Sequence, residues 1–409
     1  MTYDEPTYRR REFDGTDVYG EADGGTTRSH RAPAPALDDV FDDPAHGEPG
    51  RDRIGIHVLC EILLLVAAVV LGYLLYRDDP ATLRGHGLRT LLVSASALGL
   101  LTLGAGVTLR AAVPNLALGP VVVAAGLYFA ENGDQGVVTA MIPAVLVAAA
   151  MGLAIAVLVV GFHVPSWAAS LAAALGVMVF IQQRSGPVPV QGGYDPTRTA
   201  SYLFGGFAVL AVLAGMFGSI RSIRRMVGRF RPVADPARRR GVAGGVVAAA
   251  ALVASMVLAT AAGVLFAANG ASEVRPTTGL DWTGLAIGAA MLGGTSAYGR
   301  RGGVFGTLLS VLAVTLFLRY SGLQGWNIAL AATAAITLAG GLVVTRLVEA
   351  FGRPRATGTG DSGEWATDPD NDWSASTERS DSWSATLPAQ PAETRPDPWD
   401  ADRWGSTNR

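Results

Sequence analysis

Residues 220–241, IRSIRRMVGRFRPVADPARRRG, carry eight arginines (Arg221, Arg224, Arg225, Arg229, Arg231, Arg238, Arg239 and Arg240) and a single acid, Asp235. Long apolar runs flank the stretch on both sides. An arginine at a bilayer centre costs roughly 2.5–3.5 kcal/mol on insertion scales, and arginine-rich loops stay on the cytoplasmic side. The segment therefore reads as an intracellular loop between two hydrophobic halves, and it orients the rest of the chain.

The surrounding composition agrees. Half of the 409 residues are hydrophobic and 16% are charged, with a mean hydropathy of +0.32, too apolar for the surface of a soluble protein. The fold class expected is an all-α polytopic membrane protein of about ten transmembrane helices, some short or broken, with disordered acidic tails over 1–52 and 352–409. The formal charge of −2 conceals a basic middle: from 54 to 351, nineteen arginines face ten acids. Every basic residue is arginine, and Ala, Gly and Val dominate the spans, a usage that fits a GC-rich bacterial coding sequence. The one cysteine, Cys60, lies in the first apolar run, which removes disulfides and cysteine metal sites from consideration. The polar start offers no cleavable signal peptide, so the first apolar segment is expected to remain as a helix.

About 20 apolar residues cross roughly 30 Å of hydrocarbon. Candidate spans are 54–76, 90–109, 114–130, 137–162, 165–181, 202–220, 242–268, 280–296, 304–318 and 326–348, with 165–181 short enough to be a re-entrant half-helix. Even numbers of spans before and after the arginine loop put both tails in the cytoplasm of a bacterial inner membrane. Sixteen arginines then flank the inside and seven the outside, as the positive-inside rule requires. The C-terminal tail repeats Asp372-Trp373-Ser374-Ala375 as Ser382-Trp383-Ser384-Ala385, which is either a short partner-binding motif or composition drift in a solvated tail.

Two runs of small residues, Leu292-Gly293-Gly294-Thr295-Ser296 and Gly299-Arg300-Arg301-Gly302-Gly303-Val304-Phe305-Gly306-Thr307, interrupt any continuous helix. Broken backbone at membrane depth survives only when buried in protein or lining water; the same glycines can also simply let helices approach. With its neighbours (279–309, GLDWTGLAIGAAMLGGTSAYGRRGGVFGTLL) this stretch resembles the C-terminal signature of the ribose-type ABC importer permeases, G-x-x-x-x-x-x-A-x-x-x-x-G-G-x-S-x-x-G-G-x-G-x-x-x-G-T. Tyr320-Ser321-Gly322-Leu323 and Trp326 stand where that family places an extracellular turn before its last helix. His163-Val164-Pro165-Ser166-Trp167-Ala168-Ala169-Ser170-Leu171 is similar to the family's I-P-x-F-I-A-T-L, and Arg184-Ser185-Gly186 to its S-G-G turn. Asp235-Pro236-Ala237-Arg238 and Gly241-Val242 match its E-A-A-R and G-I. The resemblance spans about 54–350.

The resemblance implies a permease subunit that pairs with a second permease chain and with ABC ATPase subunits, and is fed by an extracytoplasmic solute-binding protein. The chain itself would bind no cofactor and no nucleic acid, with ATP consumed by the partner. Its arginine loop, 221–241, would then be the coupling segment. Residues 221–230 can form a helix with Ile223, Met226, Val227 and Phe230 on one face, ended by Pro232. The coupling residues implied are Arg224, Arg225, Met226, Phe230, Asp235, Ala237 and Arg238; the alternative is a solvated basic loop drawn to anionic membrane lipids. The translocation path is expected at Asn115, Gly119, Gly293, Gly294, Thr295 and Ser296. Here the chain departs from the family, whose G-G-I-D-L-S-V-G becomes Val113-Pro114-Asn115-Leu116-Ala117-Leu118-Gly119, with Asn115 in place of the aspartate. The swap either alters the path or leaves a structural cap on a broken helix.

Arg110 reads as a flank reaching for the interface, and Glu61, seven residues into the first span, either reaches back to the interface or lines a wet path. No phosphate loop, metal cluster or nucleophile set is present, so the chain is not expected to be an enzyme. The solute implied is a pentose or hexose, with branched-chain amino acids or nucleosides as alternatives. A degenerate permease acting as a membrane scaffold is the rival from another class.

Overall fold

The computed structural model describes residues 54–219, 241–297 and 303–351. Both tails, the arginine loop with Arg224, Arg225, Met226, Phe230, Asp235, Ala237 and Arg238, and Arg300 and Arg301 lie outside the described residues.

Ten α-helices follow one another among the described residues: α1 (Ile54–Asp78), α2 (Gly85–Arg110), α3 (Leu118–Asn132), α4 (Val137–Ala156), α5 (Ser166–Gln182), α6 (Ala200–Ser219), α7 (Gly241–Ala268), α8 (Leu280–Leu292), α9 (Gly306–Leu323) and α10 (Leu330–Phe351). Seven of these regions are long and apolar enough to cross a membrane: α1, α2, α4 with its terminal π-turn, α6, α7, α9 and α10. The other three, with 15, 17 and 13 residues, reach only about 23, 26 and 20 Å at ~1.5 Å per residue. The chain is a helical multi-pass membrane protein. Apolar side chains on the outer helices fit that setting: Leu63, Val69 and Tyr73 of α1 are each more than 60% exposed, an apolar outer face of the kind that a hydrocarbon surrounding or a packed partner covers.

Several boundaries differ from the sequence expectation. Residues 320–323, expected as a turn, complete the last turn of α9, because Arg319 and Tyr320 can reach the interface without ending the helix. The span expected over 280–296 stops at Leu292, where Gly293 and the left-handed Gly294 (φ +89°) turn the chain. The helices are also joined by a strand pair that helical periodicity does not announce. β1 (Val188–Pro189) and β2 (Glu273–Val274) are antiparallel, with Val188 opposite Val274.

α2–α5 and α7–α10 follow one plan in opposite senses, with α2 against α7, α4 against α7 as α9 against α2, and α3 against α5 as α8 against α10; α1 and α6 depart from it, α1 packing on α9 and α6 on α2. The start of α2 meets the residue just past α7, where the Asn269 amide donates to the Thr90 carbonyl; the end of α2 meets the end of α6, where Arg110 donates to the Ala214 carbonyl at 3.0 Å. Thus α2 and α7 cross the molecule in opposite senses. In each set a short helix, α3 or α8, follows the long α2 or α7. α3 runs beside α5 in the same direction, tied by Leu116 N to Ser170 Oγ at 3.0 Å and by Arg184 to Glu131 at its far end. α8 runs beside α10 in the same direction, with Gly284 against Ala334 and Gly288 against Leu338. The starts of α1, α7 and α9 and the ends of α6 and α10 share one end of the bundle, the end at which the arginine loop joins α6 to α7.

The two short helices begin side by side at the centre. A Cβ on Gly119 would run into the Gly279 carbonyl, and one on Gly279 into that of Gly119; Gly279 also adopts φ +73°, a left-handed backbone suited to glycine. Thr283 fastens the crossing by accepting from Gly119 N at 2.9 Å and donating to the Leu116 carbonyl at 3.1 Å. α3 departs from this point toward the β1–β2 end and α8 toward the arginine-loop end.

Candidate functional site

The residues expected along a path fall into two separate places. Asn115 is buried, and its carboxamide closes an Asx turn that leads into α3: Oδ1 accepts from Ala117 N at 3.0 Å, while Nδ2 donates to Ser255 Oγ at 3.0 Å and faces Met256 Sδ at 3.4 Å. A neutral amide suits this spot, since it both accepts from Ala117 N just before α3 and donates to α7, which a carboxylate cannot do. Gly119 belongs to the α3–α8 crossing. Gly293, Gly294, Thr295 and Ser296 sit on the opposite side of α8, where Gly293 packs on the Gly306 backbone and receives Gly303 N on its carbonyl at 3.2 Å. Thr295 and Ser296 are buried there. Sequence reasoning placed these six together; the structure divides them between the two ends of α8.

Glu61 finds its partner on a neighbouring helix, a contact that neither sequence reading named. Its Oε1 crosses to α9 and accepts from Phe305 N at 2.7 Å, placing a carboxylate at the positive end of that helix.

A cavity of about 390 Å³ opens instead at the β1–β2 end, between α2, α7, α8 and α9, within the size range of small-molecule sites. Four residues one turn apart on α2 line it: His86, Thr90, Ser94 and Leu98. Opposite them, α9 presents Thr315 and, one turn nearer the mouth, Arg319. The inner wall is aromatic, formed by Phe266 of α7 and Trp282 of α8, whose rings lie 4.5 Å apart at 37°. Among the described residues, no acidic side chain lines the cavity.

Two buried polar atoms here lack partners. Thr315 is 5% exposed and its Oγ1 makes no hydrogen bond. Beside the cavity, the Asn269 amide spends both N–H groups, on the Thr90 carbonyl at 3.0 Å and on Ser94 Oγ at 2.8 Å. That fixes its orientation and leaves Oδ1 buried and unused. Buried polar atoms are nearly always satisfied, so such orphans mark a place where a ligand or water completes the network.

Charge at the mouth is arranged through short caps. Arg319 Nη2 donates to Thr82 Oγ1 at 3.2 Å, and Thr82 donates in turn to Asp79 Oδ2 at 2.5 Å. The Thr82 hydroxyl, the Ala81 amide and the field of Arg319 hold the Asp79 carboxyl below the ordinary carboxylate range. Asp195 is held down in the same way by the Thr197 hydroxyl and amide, then by Arg198 and His86. Both acids precede a proline and cap a 3₁₀ turn, Pro80–Leu83 and Pro196–Thr199.

None of the cavity residues was singled out from the sequence. The signal was present as periodicity, since 86, 90, 94 and 98 share one helical face and 315 and 319 another, but nothing in one chain says that two such faces meet. No family model, curated protein or solved structure matches this chain.

Proposed function

We propose that the chain is the membrane permease subunit of an ATP-driven importer of the ABC class. It works with a second permease chain, takes solute from an extracytoplasmic binding protein, and leaves ATP hydrolysis to separate ATPase subunits. The observation that carries this reading is the antiparallel α2–α7 pair together with the short helices α3 and α8, which run in opposite senses from one point at the centre of the bundle. Broken helices in inverted repeats are the architecture by which transporters build a central path and rock one half against the other. The arginine loop, Arg221–Arg240, is the contact for the ATPase, and it lies in the cytoplasm of a bacterial plasma membrane together with both tails. A pentose or hexose is the solute that the sequence resemblance favours.

The test joins co-purification to uptake. Tagged protein from native membranes is expected to bring down an ATPase subunit, and replacing Arg224, Arg225 and Phe230 with alanine is expected to abolish both the capture and the uptake of labelled solute. Capture of no ATPase, with uptake of every sugar unchanged in the triple variant, overturns the proposal.

A further inference from the structure

The lining of the cavity does not suit a sugar. Leu91, Leu98, Leu318, Phe266 and Trp282 make most of its wall apolar, whereas a hexose offers a hydroxyl on nearly every carbon and would leave most of them unpaired against those side chains. The polar groups instead form one ladder along one side. The exposed guanidinium of Arg319 stands at the mouth, with a single side-chain hydrogen bond, to Thr82. The unpartnered Thr315 hydroxyl lies one helical turn deeper. Across from them are the hydroxyls of Thr90 and Ser94. A guanidinium with donors to spare is a carboxylate receptor, and the acids nearest the mouth are already engaged, Asp79 by Thr82 and Asp195 by Thr197.

We propose that this cavity binds a small monocarboxylate with an apolar or aromatic body, its carboxylate on Arg319 and Thr315 and its body against Trp282 and Phe266. The site lies within one subunit and needs no ATPase, so it goes beyond the permease reading and stands or falls separately from it.

The experiment is equilibrium binding of labelled phenylacetate to the full-length chain in lipid nanodiscs, with no ATPase present. Saturable binding is expected, displaced by indole-3-acetate and by cyclohexylacetate, but at least tenfold less well by phenylacetamide, phenylalanine or glucose. Arg319→Gln is expected to weaken binding at least tenfold and Thr315→Val about threefold. Because Arg319 is exposed, its variant is expected to keep the wild-type melting temperature, which separates a lost site from a lost fold. Absence of saturable binding, equal displacement by the amide, tighter binding of glucose, or unchanged affinity in both variants would each overturn the proposal. Failure to capture an ATPase leaves this result untouched, and loss of acid binding leaves the coupling experiment untouched.

Discussion

Inversion relates the seam where α2 begins and α7 ends to the seam where α7 begins and α2 ends, yet the first is hollow and the second is filled. Around the filled seam, Leu109, Ala156, Val159, Ala248 and Leu252 belong to one buried apolar cluster. The helices there close to backbone contact: a Cβ built on Gly152 of α4 would lie 2.8 Å from the Val253 Cα of α7. Around the hollow seam the same helical geometry carries His86, Thr90, Ser94, Thr315 and a pair of aromatic rings. Alanine and glycine let helices pack until no space remains, while hydroxyls, imidazole and indole hold them apart and need partners of their own. One plan of packing has thus been used once for rigidity and once for a chamber, and the difference lies in side-chain size and polarity.

The largest effect expected is at the crossing that both seams share. Gly119→Val puts a branched side chain into the Gly279 carbonyl with only backbone to yield, so the cost should reach the upper part of the ~1–3 kcal/mol typical of overpacking. Gly176→Val, where a Cβ meets nothing within 4 Å, is the control, and thermal unfolding of the purified proteins should separate the two by several degrees. Next comes a direct contest between seams. Gly152→Leu on the filled side should destabilise by about 1–3 kcal/mol, whereas Thr90→Leu on the hollow side, which keeps the backbone carbonyl that Asn269 uses, should leave the melting temperature near that of the wild type. Equal destabilisation by both would mean that the chamber is as tightly packed as its counterpart.

Asn115→Ala removes the Asx turn before α3 and the bond to Ser255, with an expected loss of about 1–2 kcal/mol read in the same unfolding experiment. Glu61→Gln replaces the carboxylate at the start of α9 by a neutral group and should cost about 0.3–1 kcal/mol. The smallest effect is that of acid. Asp79 and Asp195 have folded-state pKa values below the unfolded one of roughly 4. Their contribution is therefore complete above about pH 4 and is lost as pH falls through the lowered folded values. The melting temperature should hold from pH 7 to about 5 and decline below about 4, less steeply in Asp79→Asn than in the wild type.

Ten helices could be read from hydropathy alone, and their order along the chain follows from it. Hydropathy overstated how many are long enough to span, because the apolar run over 114–130 includes the non-helical segment before α3, and that over 280–296 includes the turn after α8. The break at Asn115 was legible from Pro114 and the polar side chain, and that at Gly293–Ser296 from its glycines. Their partner, Gly279, was not: a lone glycine before an apolar run carries no sign of the backbone it will touch some 160 residues away in sequence. Glu61 likewise gave its charge but not its destination on α9.

The amino-acid sequence by itself determined that this chain lives in a membrane, where its helices begin and end to within a few residues, and which loop carries the positive charge. Those properties depend on transfer between water and hydrocarbon, a matter decided segment by segment. Tertiary structure alone decided that two short helices start at one point, that Asn115 reaches across to Ser255, and that His86, Thr90, Ser94, Trp282, Thr315 and Arg319 enclose a common space. These depend on which helix faces meet, and that is a property of the packed molecule, set by contacts between residues far apart along the chain.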